Sequence, residues 1–420
     1  MGNRIQFVLN RLRERLWFKP IGMCLISVFF ALMAKNSSYL DINDHVPNIS
    51  LETLETLLSI ISNSMLVIAT FSVASMLSSY TLASNTATPR SFDLIIADDV
   101  TQNALSAFIG AFIFSIVSLI ALKNNFYDKT GIFVLFIITL TTFGIVILTF
   151  VRWVDRVARL GHLGPTINKV EVATKKAFQK RLQNPTLGGI KIKTGFVEKY
   201  TVYGSEIGHI QRIEMSGLQK FAKEHDCFIE VVALPGTFVS PGYPLAHIYN
   251  MESFDGCDEC IQKTFTIGRC RTFDEDPCYG LVLLSEIACR SLSPGVNDSG
   301  TAVDVIKSMI RLFVLWNKSD KKETTIEYDR IMVPEITISS MFNDSFRAIS
   351  RDGAGDLSVS IWLQKAFYSL SKLECPEIQK ACLEYARDSY LCSKKTLGIE
   401  CDVDILSDMV KKMNDKVICD

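Results

Sequence analysis

The sequence lacks the motifs and the charge that mark most enzymes and nucleic-acid-binding proteins. No GxSxG, HExxH, Walker or Rossmann spacing is present, and none of the five histidines is paired with another at metal-ligand spacing. A serine or aspartate nucleophile therefore has no recognisable base. The 44 lysines and arginines nearly balance the 45 aspartates and glutamates, which argues against a nucleic-acid partner. We expect neither an enzyme nor a nucleic-acid-binding protein, and no cofactor.

Low-complexity tracts and fixed-period repeats are also missing, so the 420 residues are expected to form two to three ordinary domains. Hydrophobic residues crowd into the first 155 positions. This distribution is typical of a membrane protein with a soluble tail. No Asp, Glu, Lys or Arg lies in the middle of an apolar stretch, which argues against a carboxylate-driven proton pump and against a voltage sensor.

Four apolar stretches have roughly the twenty residues that a membrane-crossing helix needs. The first has two interpretations, because its basic start and the small residues Ala31 and Ala34 also suit a signal peptide. Trp17 and Lys19 favour a retained span, since aromatic rings and snorkelling lysines anchor helices at the membrane interface. The sequence predicts a basic amphipathic lead over 1–19 and a four-helix transmembrane domain over 20–155, with spans at about 16–34, 57–82, 104–123 and 131–151.

The charges that flank these stretches predict their orientation. The lead and the chain that leaves the fourth span are basic, whereas the first loop is acidic. Because cytoplasmic flanks are enriched in Lys and Arg, both termini are expected in the cytoplasm. The residues that decide this are Arg4, Arg11, Arg13, Arg15 and Lys19 in the lead, Asp41, Asp44, Glu52 and Glu55 against Lys35 in the first loop, and Arg152, Arg156 and Arg159 after the fourth span.

The second span carries polar side chains down roughly one face, which is unusual for a helix that faces lipid. Two interpretations are open, because small polar residues let helices pack closely, whereas a hydroxyl-lined face can line a pore in an oligomer. The candidate pore-lining residues are Asn63, Ser64, Ser72, Ser75 and Ser79. The loop after the second span, at the predicted inner membrane face, also carries a group of charged and polar residues. This group suits a solvated loop, a vestibule or a contact surface for the tail. Its members are Arg90, Asp93, Asp98, Asp99 and Gln102.

The tail begins with a helical connector over 156–190 and then changes its pattern. Short strand-like runs alternate with Gly and Pro turns over 191–255, which predicts a small β-barrel or barrel-sandwich module. Residues 256–420 are mainly helical, with helices at about 339–351, 357–373, 377–393 and 402–415. The predicted fold class is thus an α-helical polytopic membrane domain of four transmembrane helices plus an α+β cytoplasmic domain.

All but one of the twelve cysteines follow the apolar stretches. In a cytoplasmic tail they are expected as reduced thiols rather than as a disulfide framework. Cys257 and Cys260 form a CxxC, with Cys270 and Cys278 downstream, but this spacing is only loosely compatible with zinc. Ordinary thiols are the better interpretation, so no metal site is predicted.

One stretch, from Leu281 to Val303, is organised as a helix, a tight polar break and a second helix. Apolar residues at helical spacing form one face of the first helix, and Pro294 with Gly295 stops it. Asn297 or Asp298 can cap the second helix, whose N-terminus suits a polar or anionic group. A corner whose polar residues only cap and turn explains the same pattern.

Arginines and carboxylates upstream of this corner are close to it in sequence. They can form either a structural ion network or a clamp for a carboxylate or phosphate ligand. Together with the corner, they make up the candidate ligand-binding residues, which are Arg269, Arg271, Asp276, Arg290, Ser293, Asn297, Asp298 and Thr301.

With these residues identified, the chain resembles the DUF2254 family of predicted bacterial membrane proteins. The resemblance rests on five blocks, which are SNTATPRSFDLIIADDVTQNALSAFIGAF, GHIQRI followed by PGTFVSPGYPL, FTIGRCRTFDEDPCYG, EIACRSLSPGVNDSGTAV and RDGAGD. Family members typically read like IALRALSPGINDP-TA at the fourth block. Here Ser299 replaces a Pro, Thr237 replaces an Asp in the PGDF-like turn, and Glu286 stands where Asp is common. Cys270 stands where a Glu is usual between two arginines, which puts an Arg-Glu-Arg clamp in doubt.

The resemblance implies four spans plus a cytoplasmic domain in the bacterial inner membrane, and it implies no established activity. The residues themselves favour an oligomeric channel or solute-permeation protein that is regulated by its cytoplasmic domain. The alternative is a membrane-anchored ligand sensor or scaffold without transport activity. The expected partners are the lipid bilayer, further copies of the chain and an unidentified small ligand or ion.

Overall fold

The structure is a computed structural model and describes residues 17–35, 47, 49–86, 88–91, 99–159, 163–193, 198–250, 257–318 and 326–418. The chain divides into two compact units, Met1–Thr166 (unit 1) and Ile167–Asp420 (unit 2). Each unit has its own buried core.

The described residues of unit 1 form the long helices α1 (Phe18–Met33), α2 (Leu51–Thr86), α3 (Asp99–Lys123) and α4 (Lys129–Arg159). Among the residues that the structure describes, three stretches are long and apolar enough to cross a membrane, namely Leu51–Thr81, Val100–Lys123 and Lys129–Ala158. They confirm the second, third and fourth predicted apolar helices. Helix α1 has 16 residues. At 1.5 Å per residue it measures about 24 Å, which is shorter than the ~30 Å hydrocarbon core of a bilayer. The predicted count of four spans is therefore not confirmed.

Helix α3 is the centre of unit 1, because α1 and α2 both pack along it. Gly110 of α3 allows a close approach of α1, since a Cβ atom at this position would lie only 3.2 Å from Ser27 Oγ. Ser27 and Ala31 are accordingly the buried residues of α1. Small residues of this kind let membrane helices pack with their backbones close together.

Contacts at the helix ends define the directions of the first three helices. Lys123, at the end of α3, pairs with Glu55, near the start of α2, at 2.6 Å. Helices α2 and α3 are therefore antiparallel. Tyr127, in the turn after α3, donates a hydrogen bond from its hydroxyl to the carbonyl oxygen of Ala31, near the end of α1, at 2.8 Å. Helices α1 and α3 therefore run in the same direction.

Unit 2 combines helices with two sheets. Its helices are α5 (Leu163–Gln183, which begins just before the unit boundary), α6 (Met215–Glu224), α7 (Cys257–Gln262), α8 (Cys278–Ser291), α9 (Ser299–Asn317), α10 (Ile338–Phe342), α11 (Ala348–Asp352), α12 (Leu357–Ser371), α13 (Pro376–Thr396) and α14 (Glu400–Ile418). A π-helical turn, Asn343–Arg347, joins α10 to α11, so that 338–352 is one continuous helix. The helices predicted after position 338 are confirmed with small shifts of their ends.

The strands are β1 (Gly189–Ile190), β2 (Glu198–Tyr203), β3 (Gly208–Ile213), β4 (Phe228–Val231), β5 (Phe238–Val239), β6 (Pro244–Tyr249), β7 (Phe265–Gly268) and β8 (Tyr328–Met332). One sheet has the order β1-β8-β4-β6-β2, and β8 is parallel to both of its neighbours. The second sheet has the order β5-β3-β7 and is antiparallel. The described strands form no closed barrel, so the predicted barrel or barrel-sandwich module is not confirmed. Strands β1, β7 and β8 come from outside 191–255, and local patterning could not show that they join these sheets.

Two apolar cores position the functional residues of unit 2. The first lies around the sheets, where α6 buries Leu218 and Ala222. The second contains α8, whose Leu281, Leu284 and Ile287 are fully buried, as the helical spacing predicts. Beside α8, aromatic rings from four helical segments pack against one another at centroid distances of 4.7–5.7 Å, and they belong to Phe313, Phe342, Phe346 and Phe367. These rings hold the π-helical turn in place.

Candidate functional site

At the break between α8 and α9, side chains cap the end of the first helix and the start of the second. Ser293 Oγ donates a hydrogen bond to the carbonyl oxygen of Arg290 at 2.7 Å, and Asn297 adopts a left-handed φ of 50°. Asp298 caps α9, because its carboxylate accepts hydrogen bonds from the N–H of Thr301 at 3.1 Å and from Thr301 Oγ1 at 2.6 Å. These hydrogen bonds lower the pKa of Asp298. The side chains of Ser293, Asp298 and Thr301 are thus engaged in capping, which is the simpler of the two interpretations of the sequence.

The central electrostatic feature of unit 2 is the ion pair between Arg271 and Asp276. The guanidinium binds the carboxylate at two points, Nε to Oδ2 at 2.6 Å and Nη2 to Oδ1 at 3.0 Å. Asp276 is only 2% exposed and also accepts a hydrogen bond from the N–H of Tyr279 at the start of α8. Burial lowers the pKa of Arg271, but its hydrogen bonds and attraction to Asp276 outweigh this effect and raise the pKa. Gly236 has a φ of 97° and lies so close that a Cβ atom there would overlap the Asp276 carboxylate.

The other two predicted arginines are not part of this pair. Arg269 is exposed beside Cys270, and Arg290 is half-buried near the end of α8. Within the described part of the chain, neither forms a hydrogen bond or an ion pair with Asp276. The tertiary structure therefore separates the predicted ligand-binding residues into a buried ion pair, a capped corner and two isolated arginines.

The loop before α8 also holds α5, the helix by which the chain enters unit 2. Lys180 Nζ donates to the carbonyl oxygen of Asp274 at 2.8 Å, and Arg181 Nη2 donates to that of Glu275 at 2.8 Å. Arg181 is 4% exposed, and burial lowers its pKa. Burial raises the pKa of Glu275, which lies 3.7 Å from Arg212. These contacts hold the end of α5 against the loop that leads into α8.

An open cleft of about 290 Å³ lies between α8 and the helix over 338–352. Helix α8 contributes four residues at helical spacing, and the facing helix contributes one residue from within its π-helical turn and three residues after it. The lining consists of Val282, Ser285, Glu286, Cys289, Asp344, Ala348, Arg351 and Asp352. Single π-helical turns occur frequently at functional sites, because they change which side chains a helix presents. This cleft is a candidate binding site in the described part of unit 2.

Three of the groups that line the cleft have pKa values shifted from their ordinary values. Burial, followed by the hydrogen bond to Asp352, raises the pKa of Cys289 to about 12. Burial also raises the pKa of Asp344, and the charge of Asp276 adds to this effect while Arg271 opposes it. For Asp352, burial raises the pKa, but hydrogen bonds from Arg351 and Cys289 outweigh it and the pKa is lowered. The cleft thus combines a protonated thiol, an ion pair and a carboxylate that is partly deprived of water.

Two of the five sequence blocks line this cleft, through Glu286 and Cys289 of one and Arg351 and Asp352 of the other, and two more blocks are connected to it through Asp344. Gly236, from the PGTF block, packs on Asp276, from the DEDP block, and the Arg271–Asp276 pair acts electrostatically on Asp344. Gly353, from the RDGAGD block, lies so close to Leu292 of the corner that a Cβ atom there would be 3.3 Å away. The sequence indicated these blocks individually but not their convergence. It gave no signal for Asp344, which lies in no recognisable motif.

The candidate pore-lining residues do not share one environment in the single chain. Asn63 and Ser64 face outward, Ser75 and Ser79 are half-buried, and Ser72 is fully buried (0% exposed). Ser72 is therefore sealed within the packing of its own chain. Of the predicted charged group at the inner face, Arg90 is exposed and Gln102 is buried. Asp93 and Asp98, and the side chain of Asp99, lie outside the described residues.

No metal centre is formed by the described residues, among which no group of three or more His, Cys, Asp or Glu side chains could hold an ion. Cys260 and Cys270 are exposed and Cys278 is buried. Burial raises the pKa of Cys278 to about 12, with the charge of Asp276 adding to it. The side chain of Cys257 lies outside the described residues.

Comparison with known proteins assigns the family. A family model described as "Predicted membrane protein (DUF2254)" matches residues 13–369, which is most of the chain. The match ends within α12, so α13 and α14 lie beyond it. Comparisons with curated proteins and with solved structures gave no significant match. The chain belongs to the DUF2254 family of predicted membrane proteins.

Proposed function

We propose that the protein is a membrane-anchored ligand sensor whose cytoplasmic unit binds a small solute in the cleft between α8 and 338–352. The observation that carries this proposal is the cleft itself, which two of the family blocks line and which the Arg271–Asp276 pair of a third block influences through Asp344. Its volume of about 290 Å³ suits a small ligand. We assign it no catalytic role, because the thiol of Cys289, with its pKa raised to about 12, stays protonated near neutral pH.

The charges of the lining favour a ligand that carries a positive charge. Three carboxylates, from Glu286, Asp344 and Asp352, face the cleft, against one guanidinium from Arg351. Arg351 Nε already pairs with Asp352 at 2.8 Å. An excess of carboxylates in a site that is partly shielded from water attracts cations. A small amine is therefore the preferred class of ligand.

Helix α8 connects the cleft to α5, the helix by which the chain enters unit 2. One face of α8 lines the cleft, and Gly280, on its other side, packs so closely on Thr174 of α5 that a Cβ atom would overlap the threonine hydroxyl. Closely packed helices cannot move independently, since interiors have few voids. A ligand that shifts α8 is therefore expected to shift α5.

Full-length protein in nanodiscs provides the test. Putrescine and ethanolamine serve as amine probes, and glycerol and lactate serve as neutral and anionic controls. We expect calorimetric binding of an amine, with slower hydrogen–deuterium exchange in α8 and α5. Glu286→Gln and Asp344→Asn should each abolish binding, whereas Glu259→Gln, at an exposed acid on α7, should leave it unchanged. Equal heats from amines and controls, or binding that survives both cleft substitutions, contradicts the proposal.

We propose that α1 also spans the membrane, in the bacterial inner membrane, with both termini in the cytoplasm. The support is that α1 is parallel to α3, a candidate span, and reaches the turn at Tyr127 that follows α3. A helix that packs along a span over its length and ends at the same level is suited to crossing with it. Protease protection of tags at the two termini tests this topology. Tags on the same side fit four spans, whereas tags on opposite sides fit three.

The second candidate function is permeation through an oligomer. The observation that favours it is the outward position of Asn63 and Ser64 on α2, because polar side chains at membrane depth need partners or water. Ser72 cannot take part in such a path without repacking. Liposome flux with Asn63→Leu and Ser75→Leu tests this candidate. The absence of flux for several ions from intact oligomers leaves the sensor proposal.

A further inference from the structure

Two lysines flank a single indole ring on the surface of unit 2. Lys307 Nζ, from α9, lies 4.9 Å from the ring centroid of Trp362, and Lys365 Nζ lies 5.0 Å from the same centroid. Ammonium groups are attracted to the face of an indole, so this arrangement is electrostatically favourable. We call these three residues the Lys–Trp–Lys patch.

Helix α12, which carries Trp362 and Lys365, lacks acidic residues. Asp304 pairs with Lys307 at 3.0 Å, but α12 itself contains no Asp or Glu over 357–371. Further along the same helix, Lys372 Nζ lies 5.5 Å from the ring centroid of Tyr368. Helix α12 thus combines lysines with aromatic rings, which is the composition of segments that anchor at a membrane interface.

The patch also lies close to the point where the chain enters unit 2. Helices α5 and α9 run in the same direction, because Glu171 pairs with Arg311 and, further along both helices, Phe178 packs on Trp316 with a centroid distance of 4.9 Å. Lys307 lies one helical turn before Arg311. Along these two parallel helices, Lys307 therefore lies at the same height as the first residues of unit 2, which precede Glu171 by one turn.

We propose that the Lys–Trp–Lys patch binds the headgroups of anionic phospholipids in the bilayer that holds unit 1. The ammonium groups suit lipid phosphates, and the indole suits the headgroup region. Each lysine close to an anionic membrane surface strengthens association by about fivefold. The patch shares no residue with the cleft lining, so this inference does not rest on the ligand sensor proposed above.

The test compares full-length protein in nanodiscs of phosphatidylcholine with the same protein in nanodiscs that also contain phosphatidylglycerol. Hydrogen–deuterium exchange of α9 and α12 is the readout. We expect slower exchange over 357–372 with phosphatidylglycerol, and reversal of this protection by high salt, which screens exposed charges. The double variant Lys307→Gln/Lys365→Gln should lose about 25-fold in association, from two lysines at about fivefold each.

A matched control removes two exposed lysines from α6 of the same unit, in Lys220→Gln/Lys223→Gln, and should keep the protection. The proposal is overturned if exchange is the same in both lipids, or if the Lys307/Lys365 variant keeps full protection. Protection by inorganic phosphate alone, in phosphatidylcholine nanodiscs, also overturns it, because the patch would then bind free phosphate rather than a lipid surface.

Discussion

Because the Arg271–Asp276 pair is buried, replacing Asp276 by Asn should destabilise unit 2. In Asp276→Asn the side chain keeps its shape but loses its charge, so the guanidinium of Arg271 stays in the same place without its counter-charge. The side chains of Asp276 and Arg271 are only 3% and 20% exposed. Water therefore cannot solvate the unpaired guanidinium without rearrangement.

Breaking one partner of a buried pair destabilises proteins by about 3–5 kcal/mol, because an uncompensated charge stays buried. For a domain of 150–250 residues, 1 kcal/mol corresponds to about 2–4 °C in the midpoint of thermal unfolding. The expected decrease for unit 2 is therefore roughly 6–20 °C. Replacing both partners by apolar residues, in Arg271→Met/Asp276→Leu, should recover much of this loss, since no charge is then left buried.

Thermal proteolysis of full-length protein in nanodiscs, followed by mass spectrometry of unit 2 peptides, measures this midpoint. The structure offers a matched control in Glu171 and Arg311, which are also joined by two hydrogen bonds. In that pair the arginine side chain is 59% exposed. Glu171→Gln should consequently cost at most about 1 kcal/mol. Equal midpoints for the two variants, or an Asp276→Asn protein as stable as the wild type, would refute the argument from burial.

Three further predictions concern the cleft and its supports. Asp344→Asn should stabilise unit 2 at neutral pH by on the order of 1 kcal/mol, because burial raises the pKa of Asp344 above its ordinary 3.8 and ionisation is then unfavourable in the fold. Wild-type stability should fall as the pH rises above that ordinary value, and a thermal series against pH should lack this component in the variant. Gly280→Ala should destabilise unit 2 by about 1–3 kcal/mol through overlap with Thr174. The double variant Gly280→Ala/Thr174→Ala should be more stable than the sum of the two single effects predicts. Effects that add strictly count against the contact. Cys289, whose pKa burial raises to about 12, should react with iodoacetamide much more slowly than the exposed Cys392; mass spectrometry showing equal rates at pH 8 contradicts this.

The membrane helices could be predicted well because their signal is local. A stretch of apolar residues has to be helical in lipid, since each backbone polar group needs a partner within the segment. The sequence therefore located the helices that became α2, α3 and α4, and it predicted a further span at about 16–34, where the structure has the 16-residue helix α1. The polar face of the second span was less informative. Whether Ser72 is buried depends on which side of α2 meets α3, and periodicity along one helix does not contain that information.

The sheets were harder to predict because strand pairing is not local. Short runs with Gly and Pro turns indicated strands correctly over 191–255. The same runs are compatible with a closed barrel and with open sheets, and the outcome depended on partners far along the chain. Strand β8, at Tyr328–Met332, joins β1 to β4 and could not be assigned to the sheet from its neighbours in sequence.

The sequence by itself determined the helix break between α8 and α9, because Pro294, Gly295 and an Asp298 cap act over only a few residues. It also determined the apolar face of α8, since helical spacing leaves little choice about which side is buried. Only the tertiary structure decided what the polar residues around the break do. The long-range folding of the chain buries Asp276 with Arg271, leaves Arg269 in solvent, and brings Asp344 across from Glu286 to form a cleft. Burial is a property of the packed fold, and it is burial that makes the Arg271–Asp276 pair a structural element.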